Sequence, residues 1–328
     1  MKNEKIQTII DAIEKAATIA IVTHVGPDGD AAGSSLAFSL ILRKLGKNAN
    51  AYLRKDDIGA PRVMNAFKEI KELEEAPPNP DLLICLDCAT IARINAPIYK
   101  DRLNELTVAT IDHHQSNEGY GNYRYIVPDA SSTGELVWQI AKQAGWEIDT
   151  DTAEALWVAV VTDTNRFSYS STKPETLEFG ADLLKKGIRQ DFLNDELFYR
   201  SRIDVLRLRA IAYSSLELWY EGKVAIIHLN AKDYIETNCC KADTEDFSDI
   251  PRSVRGTKLA IFFYRSRQDE DVIHLSIRST LPVKASDLAV KFGGGGHELA
   301  AGATIKGSMQ EVIQKVKSAV AEVLPAAM

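Results

Sequence analysis

The sequence predicts an α/β protein in two parts: a parallel sheet with helices on both faces, then a smaller mixed α/β domain, with a cleft between them. Three observations lead there. Short, continuously apolar runs alternate with helical patterns through the first half, as expected of strands buried on both faces. Acidic residues and histidines fall where those runs stop. Beyond residue 220 the strand-like runs follow one another closely and lead into a glycine cluster.

IAIVTH (19–24) reads as the first strand, DAAGSSLAFSLILRKLG (30–46) as a helix ended by Gly46, and NANAYLR (48–54) as the next strand. LLICLD (82–87) and LTVATIDHH (106–114) continue the strands, and APPNP (76–80) is a loop. Ser131, Ser132 or Thr133 opens a helix through ELVWQIAKQAG. TAEALWVAVV (152–161) is helical and runs into TDTNRF (162–167); TKPETLEFGADLLKKG follows, with Pro174 in its first turn and Gly187 past its end. From about 190 to 220 the chain reads as helical throughout, which predicts domains at 1–190 and 221–328 joined by a helical linker at 191–220. KVAIIHLN (223–230), KLAIFFYRSR (258–267) and DVIHLSIRS (271–279) read as strands of the second domain. A helix near 284–291, a strand at AGATIKG and a final helix to about 323 complete its core.

With 328 residues the chain is long enough for two cores, and 45% hydrophobic with 26% charged residues is ordinary globular composition. A net charge of −7 argues against a broad phosphate-neutralising surface, so long nucleic acid has nowhere to track. The N-terminus is broken by charges every few residues, with no leader-like or membrane-spanning run, and a cytoplasmic protein is expected. Cys85 and Cys88 form a CxxC, but the other cysteines, Cys239 and Cys240, are adjacent and cannot complete a spaced zinc set. Cys85 also lies inside an apolar run, not at a helix start, so both read as packing residues.

The strand ends carry His24, Asp28 and Asp30, then Asp87, then Asp112, His113 and His114; Asp163 follows its own apolar run. Taken singly, HxxxDxD in a Gly/Pro loop is turn chemistry, and an aspartate after a strand is a helix cap. A parallel sheet brings all these ends to one edge. So many carboxylates there would repel one another unless cations neutralised them. Mixed imidazole and carboxylate ligands suit Mn, Fe, Co or Zn, and two such ions sharing a carboxylate clamp an in-line phosphoryl transfer.

HVGPDGDAAGS, LLICLD, IDHH and VTDTNRF resemble, in order, the four motifs of the DHH phosphoesterase superfamily. FGGGGHELAAGA (292–303) resembles the glycine-rich signature of its DHH-associated C-terminal domain. The wording is most similar to the bacterial nanoRNase and pAp phosphatase branch. The resemblance implies two divalent ions, usually Mn2+, with Mg2+, Co2+ or Fe2+ as alternatives. His24, Asp28 and Asp87 would hold one, and Asp30, Asp87, His113 and Asp163 the other, with Asp87 as bridge. It implies that Asp112 orients the histidines and that His114 meets the scissile phosphate. No ligand position departs from the pattern.

Glycine loops are weak signals alone, since four glycines also make a tight turn. The resemblance tips Gly294, Gly295, Gly296 and His297, with Arg278, toward substrate binding, and Arg166 beside Asp163 is a phosphate candidate. His228 and His274 read as ordinary strand residues. The expected substrates are dinucleotides such as pGpG, slightly longer oligonucleotides, and nucleotide bisphosphates such as pAp. A cyclic-dinucleotide phosphodiesterase, an exopolyphosphatase and a non-catalytic nucleotide sensor are the competing readings. A homodimer is implied by the family alone.

Overall fold

Five short strands form one fully parallel sheet at the centre of the first part of the chain, in the order β2-β1-β3-β4-β5. In chain order the elements are α1 Glu4–Lys15, β1 Thr18–Val22, α2 Gly29–Lys44, β2 Asn48–Ala51, β3 Leu82–Leu86, α3 Pro97–Lys100, β4 Val108–Asp112, β5 Tyr123–Ile126, α4 Thr133–Ala144, α5 Thr150–Asp163, α6 Pro174–Leu184 and α7 Gln190–Phe198. The computed structural model describes every residue except 1–2, 56–57, 59, 245, 266–271, 297 and 325–328. Contacts divide it into Met1–Arg200 and Ser201–Met328.

Both sheet faces are buried, but unequally. Ile19, Ile21, Leu82, Ile84 and Ile111 pack against α1, α2, α4 and α5 in the larger core. The alternate residues Ala20, Val22, Leu83, Cys85 and Val108 meet Tyr99 of α3, with Leu73, Ile94 and Tyr120 from loops and short turns. Cys85 and Cys88 are both buried in this second cluster, as packing residues should be.

Strand order decides where a ligand binds. From β1 the chain steps outward to β2, then crosses to β3 on the other side and proceeds to β5. A crevice therefore opens at the carboxyl ends of β1 and β3. Helix packing carries further residues to that edge. A Cβ at Gly33 of α2 would collide with the Ala155 carbonyl of α5, so glycine is what lets these helices approach closely. That contact brings the start of α2 beside the end of α5.

In the second unit the elements are α8 Ile203–Ser214, β6 Glu217–Trp219, β7 Val224–Leu229, α9 Ala231–Glu236, α10 Asp249–Arg252, β8 Leu259–Tyr264, β9 Val272–Ser279, α11 Ala285–Val290, β10 Gly295–Gly296, β11 Ala300–Lys306 and α12 Met309–Val323. Their sheet, β10-β11-β9-β8-β7-β6, is mixed: β7 and β8 run parallel and the other pairs antiparallel. Cores form on both faces, one with α11 and α12, the other with α8 to α10.

The expected linker at 191–220 does not exist as one helix. Leu193 of α7 is buried in the first unit's core, whereas Leu208 and Ala212 of α8 are buried in the second's, and β6 belongs to the second sheet. Each piece follows its own apolar residues. Some strands are shorter than expected: NANAYLR pairs regularly only through Ala51, and Tyr52 makes an isolated bridge to Lys71.

Candidate metal centre and catalytic site

His24 lies two residues beyond β1, 7% exposed, and its backbone bridges Ile94. Its Nδ1 lies 3.0 Å from the Val25 carbonyl, which can only accept, and 3.4 Å from Arg93 Nη2; the nearer carbonyl favours a proton on Nδ1, which turns Nε2 to the carboxylates. That nitrogen faces Asp87 Oδ2 at 3.5 Å and Asp28 Oδ1 at 3.9 Å. Asp28 also caps α2, accepting from the Ala31 amide at 3.0 Å, so turn chemistry and ligand geometry coexist in one carboxylate.

His113 is built the same way. The Ala130 carbonyl lies 3.3 Å from Nδ1, and Nε2 faces Asp87 Oδ1 at 3.5 Å, Asp163 Oδ2 at 3.6 Å and Asp30 Oδ2 at 3.8 Å. Asp87 follows β3 with φ of 52°, a left-handed conformation uncommon for aspartate and concentrated at functional sites. Its two oxygens thus face different neighbours: Oδ2 the His24 side, Oδ1 the His113 side.

These separations of 3.5 to 3.9 Å are too long for hydrogen bonds. They match ligand atoms spread around a shared centre, since donors about 2.1 Å from one ion stand roughly 3 to 3.5 Å apart. Three overlapping sets of ligand atoms, each within 4.8 Å, result: His24, Asp28 and Asp87; Asp30, His113 and Asp163; Asp87, His113 and His114.

The electrostatics call for cations. Burial, then the charges of Asp87, Asp163 and Asp28, pushes the Asp30 carboxyl well above the usual range. Burial likewise raises Asp163 to about 7, against the pull of His113. Asp87 goes the other way: burial opposes its charge, but the His24 contact and the neighbouring imidazoles hold it down at about 2. The cluster is compact, acid-rich and short of positive charge, so its donor set fits divalent ions.

Surrounding residues fix the candidate ligands. Thr133 N and Gly134 N, at the start of α4, donate to the two oxygens of Asp30 at 2.6 and 2.9 Å. The N-terminus of α4 therefore holds the Asp30 carboxylate. Thr133 Oγ1 donates to Asp87 Oδ1 at 3.1 Å. Buried Glu135 anchors this turn by accepting from Ser131 N at 3.1 Å and Thr176 Oγ1 at 3.2 Å.

His114 is arranged differently. Its Nδ1 donates to Asp112 Oδ1 at 2.7 Å, while Asn117 Nδ2 donates to Asp112 Oδ2 at 2.5 Å. The Asp112 bond, partly opposed by burial, pushes the His114 imidazole up to about 9 in the metal-free fold, favouring its cationic form. Asn117 and Glu135 carried no signal in the sequence reading. Thr133 did, as part of a capping sequence, but for another purpose.

Arg166 is exposed, with φ of 59°, and lies over Phe198 and Tyr199; its Nη1 donates to Tyr199 Oη at 3.1 Å. In the second unit Arg278 of β9 sits opposite Ala300 of β11, with Nη1 3.3 Å from Ser276 Oγ. Gly295 and Gly296 form β10, the edge strand paired to β11. A Cβ at Gly294 would collide with the Gly302 carbonyl, so packing alone requires glycine there. His297 lies outside the described residues.

Residues 18–160 match the family model "DHH family, N-terminal domain", and residues 231–324 match the "DHHA1 domain". The chain is 32% identical over 325 residues to the bifunctional oligoribonuclease and PAP phosphatase NrnA of Thermus thermophilus, covering 98% of this chain and 94% of that protein. It is 29% identical to the protein of the same name in Bacillus subtilis, with 93% of each covered. An exopolyphosphatase-related protein from Bacteroides fragilis has a crystal structure that superposes with a TM-score of 0.89 at 27% identity, over 97% of this chain and 96% of that one.

Proposed function

Because this chain belongs to the DHH family and carries a DHHA1 domain, we propose that it cleaves short oligonucleotides to 5'-mononucleotides and dephosphorylates pAp to AMP. The hydrolase class comes with its relatives, which are oligoribonuclease and PAP phosphatases by name. The two-ion chemistry rests on Asp87, whose oxygens face separate histidine and carboxylate sets.

In this reading His24, Asp28 and Asp87 hold one ion and Asp30, Asp87, His113 and Asp163 the other, with manganese as the natural occupant of a mixed imidazole-carboxylate set. Bound there, two such ions supply an activated water and neutralise charge developing on the phosphoryl group. The protein's own residues do the rest. The Val25 and Ala130 carbonyls keep the His24 and His113 tautomers ready to ligate. Asp112 holds His114 protonated, leaving Nε2–H to donate to a phosphoryl oxygen as negative charge grows there. Thr133 and Gly134 keep Asp30 from drifting toward its neighbours.

We assign Arg166 to the phosphate of the substrate, and Arg278 with the Gly294, Gly295 and Gly296 turn to a terminal phosphate or base. A panel of pGpG, pAp, cyclic di-AMP and pyrophosphate with Mn2+, products resolved by chromatography, tests the proposal. Turnover of pGpG or pAp is expected. Tight binding with no product from any of the four would refute an enzymatic role.

A further inference from the structure

Arg93 closes a short turn, Ile91–Arg93, whose backbone is tied down from three sides. Val25 N donates to Arg93 O at 2.8 Å, Lys100 Nζ donates to Ala92 O at 2.7 Å, and Ile91 N donates to Glu118 Oε2 at 3.3 Å. Asn95 N donates to Thr23 O at 2.9 Å, so the segment runs antiparallel to the chain that delivers His24. The Arg93 side chain is exposed.

That side chain reaches the metal-binding edge. Its Nη2 lies 3.4 Å from His24 Nδ1, on the flank of an imidazole whose Nε2 faces Asp87 Oδ2 at 3.5 Å and Asp28 Oδ1 at 3.9 Å. The approach does not satisfy the guanidinium. The nearer Val25 carbonyl favours a proton on Nδ1, which leaves no lone pair there for an Nη2 hydrogen. Among the described residues Arg93 makes no ion pair, although Asp28, Asp30, Asp87 and Asp163 all stand at this edge. Those carboxylates turn to imidazoles and backbone amides instead. A guanidinium stays charged and holds its donors as a planar fork matched to two oxygens of a phosphoryl group. On a fixed backbone, beside acids it does not pair with, Arg93 has donors left for an incoming anion.

His114 stands on the other side of Asp87. Its Nδ1 is 3.6 Å from Asp87 Oδ1, whereas Arg93 adjoins the ring that faces Asp87 Oδ2. We infer that Arg93 is a substrate-contacting residue, its fork binding non-bridging oxygens of the phosphoryl group from the His24 side while His114 meets the same group from the other. The inference rests on the reading of the chain as a hydrolase of short nucleotides. Because a guanidinium here reads charge and shape, not base, it acts on bare phosphate as well as on a nucleotide.

The test uses Arg93→Met and Arg93→Lys in the whole chain loaded with Mn2+, assayed on pGpG and pAp. Arg93→Met is expected to lower kcat/KM roughly 10²- to 10³-fold, the scale of one lost donor to a developing oxyanion. It should also weaken binding of inorganic phosphate to the Mn2+-loaded protein roughly ten- to hundredfold, read by calorimetry. Tm and Mn2+ content should stay those of the parent, since the bonds that tie the turn down do not involve this side chain. Arg93→Lys should recover only part of the loss, because an ammonium lacks the fork. If Arg93→Met binds inorganic phosphate as tightly as the parent, the assignment is wrong while the hydrolase reading stands. A loss of activity that excess Mn2+ restores would make Arg93 a support for His24, which also overturns it. If the parent turns over neither substrate, the hydrolase reading falls, and the phosphate titration alone decides the role of Arg93.

Discussion

At the residue scale the proposed chemistry centres on Asp87, which among the described residues is the carboxylate that faces both His24 and the His113–His114 pair. Asp87→Ala is expected to reduce hydrolysis on the order of 10³-fold or more and to lower metal content, measured by turnover and elemental analysis. Cys85→Ser should leave most activity intact, since its thiol is buried and pushed far above the reactive range. Asp112→Asn should cost about 10–100-fold, the usual effect of removing a histidine's supporting carboxylate. It should also shift the pH profile. Asp112 raises His114, to about 9 in the metal-free fold, and bound cations lower it from there; activity should fall as pH climbs through the resulting value. Without Asp112 the falling limb moves to lower pH, which a general loss of stability would not produce.

At the scale of elements, the site depends on how closely α2, α4 and α5 approach. Gly33→Ala places a methyl against the Ala155 carbonyl and should destabilise the protein by about 1–3 kcal/mol in denaturant unfolding. It should also weaken metal binding, because Asp30 and Asp163 ride on the two helices being separated. Much of this was legible in the sequence. The strands delivering His24, Asp87 and His113 are unbroken apolar runs, and Gly/Pro punctuation marks the loop between β1 and α2. Other parts were not. Asn117 reaches Asp112 from an irregular loop with no periodicity, and β5 is a four-residue edge strand too short to stand out. In α1, Ile6, Ile9, Ile10 and Ile13 follow helical spacing plainly, although charges interrupt the segment every few residues. The stretch 191–220 misled because its apolar residues point to two different cores, which no local pattern reveals.

For the whole molecule, metal and proton are linked through the acidic cluster. Asp163 is raised to about 7 and Asp30 is raised too, so in the metal-free fold both favour the protonated form. Their contribution to stability is present at low pH and lost as pH rises from about 4 through 7. His114, raised to about 9, acts in the same direction above that window, and Asp87, held near 2, changes only below it. The metal-free protein should therefore have a lower Tm at pH 8 than at pH 5.5. Added Mn2+ should stabilise the protein at pH 8 by about 2.7 kcal/mol per site at a hundred times Kd and much less at pH 5.5, reversing the order, because deprotonated ligands bind the ions best. A metal-free Tm that is flat with pH, by calorimetry, would contradict this. Among the described residues no helix is long and apolar enough to cross a membrane.

Anomalous diffraction from crystals soaked in Mn2+ tests the central claim most directly. Two peaks are predicted, one on each side of Asp87 and roughly 3.5–4 Å apart, the first against His24 and Asp28 and the second against Asp30, His113 and Asp163. A single peak that Asp87 does not share, or none beside it at full Mn2+ occupancy elsewhere, would contradict the two-ion account.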